Sequence, residues 1–172
     1  MDATYNVFLN LDLGWVERVP DRDKVPALIS FIARYRGSKV KLAIAVYHLF
    51  CNQDDNDPLV KAAGGKLAYL AQKLKRDTKR VGEMYHVGRV ALNNRSGLEG
   101  TGIGLFDEEI FTKLLKLEGA LKIHKSTTAV FRNFHRMTSD EFSRYARGKT
   151  FAYNHARSPI RRYYDGITRQ KS

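Results

Sequence analysis

The chain has 172 residues and carries 30 Lys and Arg against 18 Asp and Glu, a formal charge of +12. Its 43% hydrophobic content is that of a globular chain rather than a disordered one, and its length suits one domain with appendages. The single cysteine, Cys51, excludes an intramolecular disulfide framework and a zinc site built on several thiolates, so a reducing, cytoplasmic setting is expected.

In chain order, residues 1–20 stand apart. Val7, Leu9, Leu11 and Leu13 alternate with Phe8, Asn10 and Asp12. The alternation predicts a strand-like arm, or a hairpin if Leu13-Gly14 turns it onto residues 15–19; a short helix is the other reading. After Pro20 the period becomes helical. Asp23 is a candidate cap for a helix to about Arg36, with Pro26 in its first turn and Leu28, Ile29, Ile32 and Tyr35 as its stripe. Ser38 is a candidate cap for the next helix, to about Asn52, with Ala43, Val46, Tyr47 and Phe50 on one face. The apolar stretch 42–51 is about half the length of a membrane span, so no membrane association is expected. Beyond the polar run 54–57, Val60, Ala63, Leu67, Leu70 and Leu74 recur at threes and fours. They predict one helix from Pro58 to about Leu74, weakened early by Gly64-Gly65. Thr78 is a candidate cap for a helix through Val81, Met84, Tyr85, Gly88 and Leu92.

Residues 93–106 hold Gly97, Gly100, Gly102 and Gly104 and read as a loop. Asp107 is placed to cap a helix with the stripe Ile110, Leu114, Leu117 and Leu121, joined by Phe111 and Leu115. Ser126 or Thr127 starts another, with Val130, Phe131 and Phe134 inward. Thr138 and Glu141 have capping-box spacing before Phe142 and Tyr145. A last helix from Ser158-Pro159 carries Ile160, Arg161, Arg162, Tyr163 and Tyr164. The sum is a mainly α protein of seven or so helices. The expected layout is a short non-helical or strand-like N-terminal segment (1–20), a helical bundle over 21–168 and a tail at 169–172. A division into two small helical subdomains at the glycine loop is the variant of that layout.

The positive charge is segregated. Residues 73–95 carry seven cations against Asp77 and Glu83, residues 132–172 carry ten against Asp140, Glu141 and Asp165, and the rest of the chain sums to zero. Two basic blocks on a neutral background predict one continuous phosphate-binding surface; the plainer reading is a solvated helical face. The nucleic-acid-binding candidates are Lys73, Arg76, Lys79, Arg80 and Arg89 in the first block, and Arg132, Arg136, Arg144, Arg147, Arg161 and Arg162 in the second. Tyr153, Tyr163 and Tyr164 stand among Arg157, Arg161, Arg162 and Arg169, where they would either stack on single-strand bases or pack the last helix onto the bundle.

Little points to catalysis. Counting from Asp54, an EF-hand loop would need glycine and glutamate where Leu59 and Gly65 stand. No Gly-Lys-Ser/Thr follows the glycine loop. His48, His86, His124, His135 and His155 show no metal-ligand spacing with cysteine or glutamate. His48, beside Tyr47 and Phe50, reads as a core residue; His124, His135 and His155 lie among cations, where they would meet phosphate or solvent. No compact acid, base and nucleophile set is present, so the chain is expected not to be an enzyme and to use no metal or cofactor.

The segment Val87-Gly88-Arg89-Val90-Ala91-Leu92 resembles the Gly-Arg-Ala-Leu-like turn of the CasB family, the small helical subunit of the type I-E CRISPR surveillance complex, Cascade. Asp107-Glu108-Glu109-Ile110-Phe111 and Leu114-Leu115 occupy the place of that family's next helix start. Leu67-Ala68-Tyr69-Leu70 resembles its apolar helix before the turn, and Ile160-Arg161-Arg162-Tyr163-Tyr164 its basic, aromatic final helix. The resemblance spans roughly residues 25–165. It implies a non-catalytic RNA-binding and DNA-binding subunit in antiviral defence, present as a pair, bridging other subunits of a ribonucleoprotein complex. Such a subunit steadies the guide–target hybrid or the displaced DNA strand while base pairing reads sequence. The residues alone leave three rivals open: a stand-alone single-stranded nucleic-acid-binding protein, a protein-binding inhibitor of mobile-element origin, and a small nuclease.

Overall fold

Apolar side chains at helical spacing demand helices that hide one stripe each, and the computed structural model, which describes residues 13–98 and 107–148, meets that demand. Helical residues make up 79% of the described part, which contains no strand, so the chain is mainly α. In order the helices are α1 (Trp15–Arg18), α2 (Asp21–Arg34), α3 (Lys39–Asn52), α4 (Pro58–Ala63), α5 (Lys66–Leu74) and α6 (Thr78–Asn93). A 3-10 turn (Ser96–Leu98) follows, then α7 (Asp107–Ile123), α8 (Thr127–Arg136) and α9 (Ser139–Ala146).

Several expected boundaries move, each for a local reason. Residues 15–18 take the short-helix reading rather than the hairpin: they form the single turn of α1, which buries Val16 and sets Trp15 against Phe31 with ring centroids 5.4 Å apart. The alternating residues 7–12 and the expected last helix lie outside the described residues. Helix α2 begins right after Pro20, two residues ahead of Asp23, and has no side-chain cap. The single helix expected over 58–74 is two. Gly64 (φ 92°) and Gly65 (φ 125°) are both left-handed, and Gly65 N donates to Val60 O at 3.0 Å, closing α4 so that α5 starts afresh. Asp77, rather than Thr78, caps α6, its Oδ1 accepting from Arg80 N at 3.2 Å. Three caps stand where the sequence puts them: Ser38 on Lys41 N, Ser126 on Ala129 N, and the reciprocal Thr138–Glu141 box.

Helix α3 is the centre of the packing. Val40, Leu42, Ala43, Ile44, Ala45, Val46 and Leu49 are all buried, so it is apolar on nearly every side. Helices α2, α6 and α7 pack on it, and α9 and α8 cover α7. At the α3–α6 crossing the two backbones touch. A Cβ built at Gly88 would run into the carbonyl of Ala43 and stand 2.9 Å from Tyr47 Cβ. The segment 87–92, likened to a turn, lies in the C-terminal half of helix α6, and its glycine is there to let α3 in.

Asp107 also differs from expectation. As the first residue of α7, it serves α3: its Oδ1 accepts from Ser38 Oγ at 2.5 Å and its Oδ2 from Lys39 N at 2.7 Å. Lys39 pairs with Glu108 beside it. The carboxylate thus satisfies donors that α3 cannot satisfy itself and opposes the positive end of its dipole.

One charge is locked inside. Lys113 projects from α7 with none of its surface exposed, and its Nζ donates to Phe134 O at 2.5 Å and Met137 O at 3.1 Å. It thereby holds the carbonyl end of α8, its Nζ lying 4.8 Å from the centre of the Phe134 ring. Glu109, which accepts from Ser139 N at 3.0 Å, and Glu141 flank the turn. Burial pushes the Lys113 ammonium down to about 7 against the pull of those two carboxylates.

Two expectations follow from this packing. Gly88→Ala should lower unfolding free energy by about 1–3 kcal/mol, the scale of overpacking, and a urea midpoint equal to wild type would show that the crossing has slack. For Lys113 the folded state binds a proton less readily than the unfolded state, so between pH 7 and 10.5 the unfolded chain holds more protons and stability rises with pH. From pH 7 to 9 the wild type should gain about 2 kcal/mol over Lys113→Met in paired urea titrations, and parallel pH profiles would contradict it.

Candidate phosphate-binding groove

Helices α2 and α5 touch and end at the same edge of the molecule. Between their ends lies an open groove of about 530 Å³, within the range of small-ligand sites. Ile29, Ile32 and Ala33, at helical spacing on one face of α2, form one wall, and Arg36 stands just past the helix end. Lys73, Leu74, Lys75 and Arg76, the end of α5 and the turn into α6, form the other.

That turn is unusual in its residue choice. Lys75 N donates to Gln72 O at 3.2 Å and Arg76 N to Ala71 O at 3.0 Å, the paired bonds of a Schellman end. The pattern needs a left-handed residue, normally glycine, and here it is Lys75, at φ 53° and ψ 45°. It is the one non-glycine residue with positive φ among those described. Its side chain is exposed on the groove.

The electrostatics of the groove are one-sided. Among the described residues, Lys73, Lys75, Arg76 and Lys79 make no ion pair. Lys73 Nζ lies 5.6 Å from the centre of the Tyr69 ring one turn earlier. Arg36 spends Nη1 on Ala33 O (2.9 Å) and Tyr35 O (3.1 Å), which orients the guanidinium and leaves its Nε and Nη2 donors available. Asp77, the nearest acid in sequence, is engaged in capping α6. Two helix C-termini meeting here account for some of the cations, because carbonyl ends favour positive charge. They do not account for a lysine held in a conformation that penalises it.

The structure divides the eleven candidates. Lys73 and Arg76 line the groove, and Lys79 is exposed on the first turn of α6. Arg80 turns away: its Nη1 lies 3.4 Å from Glu83 Oε2 and its guanidinium 5.0 Å from the centre of the Phe111 ring. Arg89 is about 13 Å further along α6 and pairs with Glu118 at 2.9 Å. Partial burial works against the Glu118 charge, but Arg89 holds that carboxyl below its usual range. In the second block, Arg132 is exposed and Arg136 half-buried on α8, while Arg144 and Arg147 are exposed at the end of α9. Arg161 and Arg162 lie outside the described residues, as do Tyr153, Tyr163, Tyr164 and His155.

The described candidates thus fall at several places: the groove, the flank of α6, and the ends of α8 and α9. Arg80 sits over Phe111 near the start of α7, whereas α9 ends beside His124, just past its far end, about 20 Å along the helix. His124 and His135 each have a ring nitrogen engaged within the chain. His124 Nε2 lies 2.7 Å from Tyr145 O with its ring stacked on Tyr145, and His135 Nε2 lies 3.1 Å from Gly97 O. Burial pushes His135 down to about 4, so it stays neutral and donates from Nε2 to that carbonyl.

The sequence reading missed Arg36 and Lys75. Lys75 is one of the seven cations counted in the first block but is not among the candidates; Arg36 carries no such signal, since its place depends on how α2 meets α5. Elsewhere, the acids at 54–57 form a polar turn. Asp54 accepts from Asn56 N and Asp57 from Leu59 N, both at 2.9 Å, and Asp55 pairs with Lys66 at 3.4 Å. Among the described residues no group of three or more His, Cys, Asp or Glu could hold a metal, and no helix is long and apolar enough to cross a membrane. No protein-family model, curated protein or solved structure matches the chain.

If Lys75 is held at a conformational cost, Lys75→Gly should raise unfolding free energy by about 1 kcal/mol. A lower melting temperature for that variant would contradict the strain.

Proposed function

We propose that this chain is a non-catalytic, sequence-indifferent nucleic-acid-contacting protein that holds phosphodiester backbone at the α2–α5 groove. We further propose that it does so as a small subunit of a CRISPR RNA-guided surveillance ribonucleoprotein, bridging subunits and steadying the guide–target hybrid or the displaced strand. The observation that carries the first statement is the convergence of Arg36, Lys73, Lys75 and Arg76 on one groove, with no ion pair to a described carboxylate. Lysine and arginine donors of this kind meet phosphate oxygens, position the strand and read no base.

The second statement rests on the resemblance. Within it, the segment 87–92 contributes packing rather than nucleic-acid contact: Gly88 lets α3 approach and Arg89 binds Glu118. What a surveillance subunit needs from this chain is then a grip on backbone at the groove, with sequence read elsewhere by base pairing.

The test is salt dependence. Replacing Lys73, Arg76 and Lys79 by glutamine should flatten the log–log salt slope of single-strand binding by about 2, at about 0.7 per lost phosphate contact, equally for unrelated sequences. Affinity and slope unchanged from wild type would overturn the backbone reading. Co-purification of the native chain with a guide RNA and other subunits is the outcome expected of a surveillance subunit. Tight binding by the isolated chain, with no such partners recovered, would make it a stand-alone single-strand binder.

A further inference from the structure

A surface that only neutralises phosphate needs no apolar wall, yet this groove has one. Ile29, Ile32 and Ala33 stand on one side and Leu74 on the other, beneath a rim of cations. Ile32 is almost fully buried and forms a floor, whereas Ala33 is exposed at the lip. In a duplex the faces of the bases are hidden in the stack, so duplex DNA or RNA would engage the rim and leave this wall against water. A single strand can turn a base out of its stack and lay its face on an aliphatic surface.

The geometry points to the groove as a single-strand subsite that takes one unstacked nucleotide. The base lies against Ile29, Ala33 and Leu74, and the flanking phosphates lie between Arg36 and the 73–76 turn. The inference rests on the backbone-binding reading above and adds which strand form the groove takes. The volume of about 530 Å³ admits one nucleotide rather than a stack of several. The free Nε and Nη2 donors of Arg36 form a planar fork suited to two oxygens of one phosphate. Lys75, in the left-handed region, is among the residues of the opposite wall. Among the described residues no carboxylate or amide side chain lines the groove.

Ala33→Leu tests this. The residue is exposed, lies near the end of α2 and carries no charge, so leucine there fills the lip without altering the fold or the field. Binding is read by fluorescence anisotropy with a labelled oligothymidylate and with a labelled hairpin duplex carrying the same number of phosphates. The expected result is a loss of about five- to tenfold for the single strand, with duplex affinity and both salt slopes as in the wild type. Equal single-strand affinity for Ala33→Leu and wild type would overturn the subsite, and so would equal losses for both probes. Either result leaves the backbone reading intact so long as the triple glutamine variant still loses affinity. If that variant binds like wild type, the backbone reading itself fails and the subsite with it.

Discussion

Everything at the groove depends on the contact of two backbones at Gly88. Helix α3 is apolar on nearly all sides, and burying it requires partners that can come close. With no side chain at Gly88, α6 lies directly on the Ala43 carbonyl. Helix α2 packs on the same α3, so the depth of the α3–α6 crossing fixes where α6 begins relative to the end of α2. The α5–α6 turn is tethered to that beginning by the Asp77 cap. A displaced crossing would therefore separate Arg36 from Lys75 and Arg76, although none of these touches Gly88. Interiors packed at crystal density pass such shifts on rather than absorbing them.

The charges inside the molecule follow another logic. Asp107 and Lys113 both lie on α7, and each serves the terminus of another helix: Asp107 the amide end of α3, Lys113 the carbonyl end of α8. Both signs suit the dipoles they face. Helix α7 thus fastens the α3 layer to the α8–α9 layer through polar contacts at its own first two turns. A buried ammonium is costly to keep charged, and two carbonyls can still accept from a neutral amine, which has two N–H groups to give. The fastening therefore survives deprotonation of Lys113 as a hydrogen-bonding arrangement.

What the sequence made legible was local. The stripes Leu28 and Ile32, Ile110, Leu114 and Leu117, and Val130 and Phe134 are buried where periodicity put them. The caps at Ser38, Ser126 and Thr138 also stand as read, because a cap involves residues two or three apart. The break at Gly64-Gly65 was obscured because the apolar spacing runs on across it, while the backbone there leaves the helical region. Long-range pairings left no trace in periodicity. Nothing near Asp107 indicates that it serves Ser38, nothing near Arg89 that Glu118 takes it, and nothing near Arg36 that α5 ends beside it. Lys113 gave one unused sign: it falls three residues after Ile110 on a buried face, a register in which a charged residue needs a partner.

Charge count alone discriminates poorly between a binding surface and a well-capped helical protein. Arg136 ends α8 and Arg144 lies in the last turn of α9, positions where a cation stabilises the helix whatever the protein binds. Lys73 ends α5 and Arg34 ends α2 in the same way. Such residues carry little information about a ligand, which is why the described cations of the second block, at α8 and the end of α9, argue less than their charge suggests. Lys75 is different. Its dipole preference would be met equally from the last turn of α5, and glycine would close the Schellman end without steric cost. The left-handed lysine therefore works against local stability, and strain of that kind persists where the side chain is needed in that place. The groove is distinguished by that strain, by the absence of ion pairs along its rim among the described residues and by its aliphatic wall, three features that helix capping does not require.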